Sequence, residues 1–275
     1  MTKAAMRKYA LLALAILFVA LYLFPLYWMY VTALKSGSEI FRFPPTFWPE
    51  TLHFNVADVW VRLRMDRFLT NSLIIAAGTT TIIVAVGTGC AYALARVRSI
   101  WMDVAMFTTL MMQVLPSSLM ITPIFVSFNH VGLLDYPRLA VVLAQAAKLL
   151  PLYIVLCRTA FMQVPRELEE AGLVDGNSRL GAFLQIAIPL ARNGILVTAV
   201  LVFLLSFGEY VYSRSLIGER ALQPATVGLQ SFMGPNTSDW SGVMTYSAIY
   251  VTPILFIFVL LQRRIVSGLT AGALK

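Results

Sequence analysis

Of 275 residues, 59% are hydrophobic and only 12% are charged, against about 45–50% and about 25% in soluble domains. With a mean hydropathy of +0.78, a water-soluble globule is excluded and one bundle of membrane-spanning helices, residues 1–275, is expected. The net charge of +8 needs no nucleic-acid partner, because loop topology accounts for it. Cys90 and Cys157 lie in apolar runs without CxxC spacing, so they read as two small buried residues and not as a disulfide framework. His53 and His130 are far apart, and no metal site is expected.

A span needs about 20 apolar residues. In chain order the candidates are 9–34, 68–95, 104–129, 139–157, 193–213 and 240–262. Lys148 is the one charge in the fourth and Glu209 the one charge in the fifth. The first run is too long for a secretion signal's apolar stretch of about 7–15 residues and lacks an A-x-A site; it reads as a retained helix. Pro25, Pro116 and Pro123 predict kinks. With the N-terminus inside, the inner segments hold twelve cations against five acids, and the outer ones eight against seven. That asymmetry, to which Arg98 and Lys275 contribute, favours both termini in the cytoplasm.

Between the spans, the first outer loop (35–67) combines Pro44, Pro45 and Pro49 with Phe41, Phe43, Phe47, Trp48 and Trp60. It lies either on the membrane surface or packed on the bundle. The last outer loop (214–239) is rich in turn residues, among them Gly218, Pro224, Gly228, Gly234 and Pro235. The inner loop 162–192 is the unusual one. Pro165 suits a first helical turn, Glu167, Glu169 and Glu170 favour a helix N-terminus, and Gly176 ends the helix. A second helix starts at Asn177 or Ser178. In it Leu180, Phe183, Leu184, Ala187 and Ile188 form one apolar stripe, and Pro189 closes it. A membrane-surface helix prefers a Lys/Arg-rich polar face, whereas here four acids face Arg166 and Arg179. A protein partner fits better.

Glu170, Ala171, Gly172, Gly176, Ile186, Ile188 and Pro189 spell E-A-G-x3-G-x9-I-x-I-P. This resembles the EAA loop of ABC-importer permeases, usually E-A-A-x3-G-x9-I-x-L-P, with Gly172 and Ile188 as departures. Asn71-Ser72, the run Ala91-Tyr92-Ala93-Leu94-Ala95-Arg96 and the tail Gly268–Gly272 extend the resemblance along almost the whole chain, toward the MalG-like, carbohydrate-uptake branch. The resemblance implies an all-α, six-span, type I importer permease of the inner membrane, with a cytoplasmic coupling helix. It implies a second permease, two ATP-binding subunits and an extracytoplasmic solute-binding protein as partners. On that pattern Glu169, Glu170, Ala171, Gly172, Asp175, Gly176, Phe183 and Pro189 form the ATPase-docking site. Glu170 makes the charged contact and Gly176 the bend.

The chain has no GxxxxGK[ST] motif and no nucleophile–base constellation, so it is expected to be non-catalytic and without cofactor. ATP and Mg bind the partner ATPase. Gly87-Thr88-Gly89 reads as a site of close helix packing. Charges within spans cost about 2.5–3.5 kcal/mol near the helix centre and mark pathways or partners. Glu209-Tyr210 matches the end of the MalG-like W-N-[DE]-[FY] pattern, but Phe207-Gly208 departs from it. Glu209, Tyr210, Lys148 and Asn71 are the pathway candidates. Glu209 reads equally as a solute contact or a structural ion pair. Lys148 pairs with Glu209, pairs with the second permease, or faces an anionic solute. The solute is a sugar or sugar derivative, with glycerol-3-phosphate or a glycerophosphodiester as the alternative. A stand-alone secondary transporter coupling ions through Glu209 and Lys148 is the competing class.

Overall fold

The computed structural model describes residues 3–62, 64–97, 99–233 and 239–273. Arg98, Gly234, Pro235 and Lys275, used above, lie outside them. In chain order the helices are α1 (Lys3–Ala33), α2 (Gly37–Ile40), α3 (Val56–Arg62), α4 (Met65–Arg96), α5 (Ile100–Met112), α6 (Ser117–His130), α7 (Pro137–Met162) and α8 (Arg166–Val174). Then follow α9 (Arg179–Ala182), α10 (Ile188–Phe207), α11 (Val211–Leu216), α12 (Ala225–Gly228) and α13 (Trp240–Ala273). No strand occurs among the described residues.

Five helical stretches among these are long and apolar enough to cross a membrane: Arg7–Ala33, Met65–Arg96, Pro137–Met162, Arg179–Phe207 and Trp240–Gln262. Three of the six expected spans come out differently. The expected third span is broken into α5 and α6 just ahead of Pro116, which has φ −58° and ψ 137° and is itself non-helical. Pro25 and Pro123, by contrast, sit inside continuous helices. The fifth span ends at Phe207 and does not run to Ser213. Its start merges with the inner loop, since Pro189 does not close the second loop helix. A π turn, Phe183–Ala187, joins α9 to α10. The wide turn falls just before Pro189, where the missing N–H would otherwise leave an α-helical carbonyl without its donor. Beyond the expected end of the sixth span at residue 262, α13 continues to Ala273.

The chain divides into two compact units. In the first (Met1–Met65 with Gly228–Pro253), most of α1 is exposed, but its end packs on the start of α13. There Tyr30 Oη meets Thr252 Oγ1 at 2.9 Å and Thr245 Oγ1 donates to the Ala33 carbonyl at 3.2 Å. The first outer loop folds against this pair. Buried Lys35 donates to the Thr46 carbonyl and lies 4.6 Å from the centre of the Trp28 ring. Glu39 accepts from the Glu50 N–H at 3.0 Å and from Thr46 Oγ1 at 2.9 Å. The Glu50 N–H, foremost, holds the Glu39 carboxyl below the usual range against the opposing effect of burial. The loop therefore packs on its own helices through polar groups, while Phe41, Phe43, Phe47 and Trp48 remain exposed.

The second unit (Asp66–Val227 with Ile254–Lys275) is built around α4, α7 and α10. Ile83, Ala91, Tyr153, Cys157, Phe161, Ala187 and Val202 form one core cluster, and Ile75, Ala140, Val141, Tyr212 and Ile217 a second. Small residues set the spacing, as expected for helices packed in lipid. A Cβ on Gly87 would stand 2.6 Å from the Tyr153 ring. Gly89 has open space around it and plays no such part. Cys157 is buried, but Cys90 is exposed on the outer face of α4, contrary to the reading of both as buried. α7 and α10 approach closely at Gly194 of α10, where an added Cβ would collide with Ala160 Cβ on α7. Gly194→Val is expected to force α7 and α10 apart at a cost of about 1–3 kcal/mol, seen as a lower unfolding midpoint in detergent. A midpoint equal to the parent's would show that the pair is not close-packed.

Candidate functional site

The inner loop is built by an ordered sequence of caps. α8 starts after Pro165 and ends in a complete Schellman motif. Asn177 N–H donates to the Gly172 carbonyl at 2.9 Å and Gly176 N–H to the Leu173 carbonyl at 3.2 Å, with Gly176 at φ +89°. That left-handed conformation is what the glycine supplies. Ser178 then caps α9, its Oγ accepting from the Gly181 N–H at 3.0 Å. A Cβ on Gly172 would stand 2.5 Å from Ile186 Cδ1, so glycine in the family's alanine position makes room for that isoleucine.

The expected docking residues separate into two faces. Glu170, Ala171, Asp175, Gly176 and Pro189 are exposed, Gly172 and Phe183 half-buried, and Glu169 buried. The apolar stripe also divides. Phe183, Ala187 and Ile188 belong to the core, with the Phe183 ring 4.7 Å from Tyr92. Leu180 and Leu184 project outward. Beside them Val174, at 87% exposure, tops the turn. On this loop Glu170, Asp175, Val174, Leu180 and Leu184 are all exposed.

Glu169 makes a different connection. Its carboxylate pairs with Arg96, the last residue of α4, and accepts from Tyr92 Oη at 2.7 Å. Arg96 also donates to the Phe161 carbonyl at 3.0 Å and to the Val164 carbonyl at 3.4 Å, so one guanidinium ties α4 to the end of α7 and to α8. In return Arg158 donates to the Leu94 carbonyl at 3.1 Å, and Arg166 to the Arg96 carbonyl at 2.9 Å and the Ala95 carbonyl at 3.3 Å. These cations satisfy the orphan carbonyls and the negative end of α4. Burial pushes the Glu169 carboxyl up, but the hydrogen bonds from Arg96 and Tyr92 and the charges of Arg96 and Arg166 outweigh it and hold it below the usual range. The sequence reading used Arg96 as the end of a family-like run, Arg166 as a cation on the inner loop and Arg158 as a topological charge, and assigned none of them to this clamp. The i, i+4 spacing of Tyr92 and Arg96 on one helix face was the available signal.

The pathway candidates are not brought together as one site. Glu209 is outside any span: Gly208 ends α10, and the Glu209 carboxylate caps α11. It accepts from the N–H groups of Tyr212 at 2.7 Å and Ser213 at 3.1 Å, from Ser213 Oγ at 3.0 Å and from Gln145 Nε2 at 3.3 Å. A side chain offering those bonds competes with helix continuation, which is why the run stops where composition alone would extend it. Tyr210 is half-buried at the start of α11. Asn71 is buried and donates to the carbonyls of Ala221 and Gln223 at 2.8 and 3.0 Å, fixing the following loop to α4. Lys148 stands halfway along α7. It donates to Ser117 Oγ, lies 5.9 Å from the Tyr212 ring centre, and does not pair with Glu209.

The family described as binding-protein-dependent transport system inner membrane component matches residues 83–270. The diacetylchitobiose uptake system permease protein DasC of Streptomyces coelicolor is 31% identical over 266 residues, covering 94% of this chain and 94% of its own length. The sulfoquinovosyl glycerol transport system permease protein SmoH of Agrobacterium fabrum is 28% identical over 254 residues, covering 92% of this chain and 89% of its own. Among solved structures, a bacterial ABC transporter involved in import of the acidic polysaccharide alginate has a chain of the same fold. Its TM-score is 0.75 at 19% identity, covering 96% of this chain and 98% of that one. An all-helical chain with several membrane-length helices, matched over residues 83–270 and by relatives along nearly its full length, belongs to the inner-membrane permease family of binding-protein-dependent ABC transport systems.

Proposed function

We propose that this chain forms half of the translocation pathway of an ATP-driven importer for a sugar or sugar derivative. The observation that carries this is the inner loop, where the acids Glu170 and Asp175 and the apolar Val174, Leu180 and Leu184 are all exposed. Exposed apolar residues rimmed by charge mark a protein-docking surface, and an acidic one is disfavoured beside anionic lipid. A cytoplasmic ATP-binding subunit occupies it, one copy under this chain and one under a second permease. ATP and Mg bind there. Closure of the ATPase pair moves α8 and α9, and the Arg96–Glu169 clamp passes that motion to α4 and α7. The pathway then opens to the other side, a switch that requires each nucleotide state to favour one arrangement.

In this reading α5 and α6 together make a broken third span, giving six with both termini in the cytoplasm. A solute-binding protein delivers its cargo to the outer face. The sugar class rests on relatives named for diacetylchitobiose and sulfoquinovosyl glycerol uptake; free glycerol-3-phosphate has no such support. A secondary transporter using Glu209 and Lys148 as an ion-coupled pair is disfavoured by the Glu209 carboxylate's four donors on its own chain. Affinity purification of the tagged chain from native membrane in mild detergent, with mass spectrometry, tests the assembly. Recovery of a second permease, a P-loop ATPase and a solute-binding protein is the expected result. A chain that purifies alone and moves solute into liposomes without ATP would contradict it.

A further inference from the structure

Two features meet halfway through the second unit. The turn Gln113–Pro116, between α5 and α6, leaves non-helical backbone in the middle of an apolar stretch, and Val114 within it is 73% exposed. Irregular backbone at membrane depth is tolerated only where it is buried in protein or lines a water-filled cavity, because lipid satisfies no N–H or C=O. On α7 directly beside it stands Lys148. Gln113 Nε2 donates to the Lys148 carbonyl at 2.9 Å, and the Lys148 ammonium donates to Ser117 Oγ in the first turn of α6. The midpoint of the broken span and the midpoint of α7 are thus held together by two contacts.

That ammonium is poorly compensated. No ion pair reaches it among the described residues. Glu209, the one carboxylate placed in these segments by sequence, is committed to Tyr212, Ser213 and Gln145. The remaining neighbours are the Tyr212 ring and the start of α6, a helix end that carries partial positive charge and has no acidic residue in its first turn. A cation against the positive end of a helix raises the local potential. A three-donor ammonium with one hydroxyl acceptor, half-exposed beside a broken helix, has donors to spare. Intramembrane ionisable groups of this kind line pathways, and discontinuous helices at the midplane are where transporters hold anionic parts of their cargo.

We propose that Lys148, with Ser117 and the Gln113–Pro116 turn, is an anion-accepting subsite of the translocation pathway, and that the solute is an acidic saccharide bearing a carboxylate or sulfonate. The inference rests on the importer reading and narrows its cargo. Lys148 acts in passage, as a transient partner that offsets the cost of moving a charged group through the low-dielectric bundle. Because its one acceptor among the described residues is a hydroxyl, the site pairs with the incoming anion without first breaking an internal ion pair.

The test uses the assembled transporter with its own binding protein. Solute released by denaturing the binding protein is examined by mass spectrometry and by its electrophoretic mobility at neutral pH. ATP-driven uptake of that solute into proteoliposomes is then compared for the parent, K148Q and K148R. The expected solute migrates as an anion. K148Q assembles with both kinds of partner but takes up the solute about tenfold more slowly, the scale of one charge-assisted hydrogen bond, and K148R retains most of the rate. ATP-driven uptake of a neutral sugar overturns the inference and leaves the importer reading intact. So does parental uptake of an acidic solute by K148Q. Where K148Q does not assemble, K148M takes its place: slowed uptake of the anion upholds the subsite, and parental uptake, or a neutral solute, removes it. Uptake that needs no ATP overturns the importer reading itself, which is a separate result.

Discussion

Glu170→Lys is expected to abolish ATP-dependent uptake while the chain still inserts and assembles its own helices. Glu170 is exposed on α8 and makes none of the contacts that hold the loop together. The change therefore reverses a charge on the outward face without touching the Schellman turn, the Ser178 cap or the Arg96–Glu169 pair. Like charge brought against a complementary partner costs several kcal/mol, enough to empty a docking site. Uptake in cells and membrane abundance of the variant, measured together, read the two consequences separately. Parental uptake by E170K would remove Glu170 from the docking contact. Loss of the protein from the membrane would show that its role is structural.

Arg96→Ala produces the second large effect, by another route. From α4, the Arg96 guanidinium donates both to the carbonyls of Phe161 and Val164 at the end of α7 and to the α8 carboxylate. Its side chain and that of Glu169 are only 17% and 10% exposed. Removing one member of a buried pair leaves the other charge uncompensated and costs about 3–5 kcal/mol; here the Phe161 and Val164 carbonyls lose a donor as well. The expected result is a loop that detaches from α4, with uptake lost and ATP hydrolysis no longer coupled to it. The same clamp is acid-sensitive in a defined direction. A carboxyl held below the ordinary glutamate value contributes stability that is complete above that ordinary value and is lost as the pH falls through the lowered folded value. Limited proteolysis of the inner loop across an acid titration checks this. The parent loop stays protected at neutral pH and is cut once Glu169 protonates, whereas E169Q is cut at neutral pH. Equal cutting of both at every pH would show that the pair does not hold the loop.

The helical class and most of the spans were legible because a long apolar run in a membrane has one outcome, backbone hydrogen bonds closed within the segment. The inner loop was legible too. Proline, clustered acids, a glycine at the turn and a serine cap each specify local backbone, and α8, the Gly176 turn and the Ser178 start follow them. What composition could not show is where a run of apolar residues stops being one helix. Pro116 breaks the third span while Pro25, Pro123, Pro151 and Pro253 stay inside theirs. The difference lies in tertiary anchors, Gln113 and Ser117 reaching α7, that no local pattern contains. Glu209 misled for a similar reason. In sequence it is a charge in a span, but a carboxylate three residues ahead of a free N–H can cap a new helix, and the ensuing α11 is set by that side chain. Pro189 was read as an end because an α-helix cannot supply its bond; the π turn before it is a solution that hydrophobic periodicity does not encode.

The docking face of the inner loop is the central claim, and contact tests it most directly. A photo-activatable cross-linking residue placed at Val174, the exposed apex beside Glu170, would be activated in native membranes and its adducts identified by mass spectrometry. The account predicts one major adduct with a P-loop ATP-binding subunit, diminished when Glu170 is replaced by lysine. An adduct with lipid, or with another segment of this chain, would contradict it.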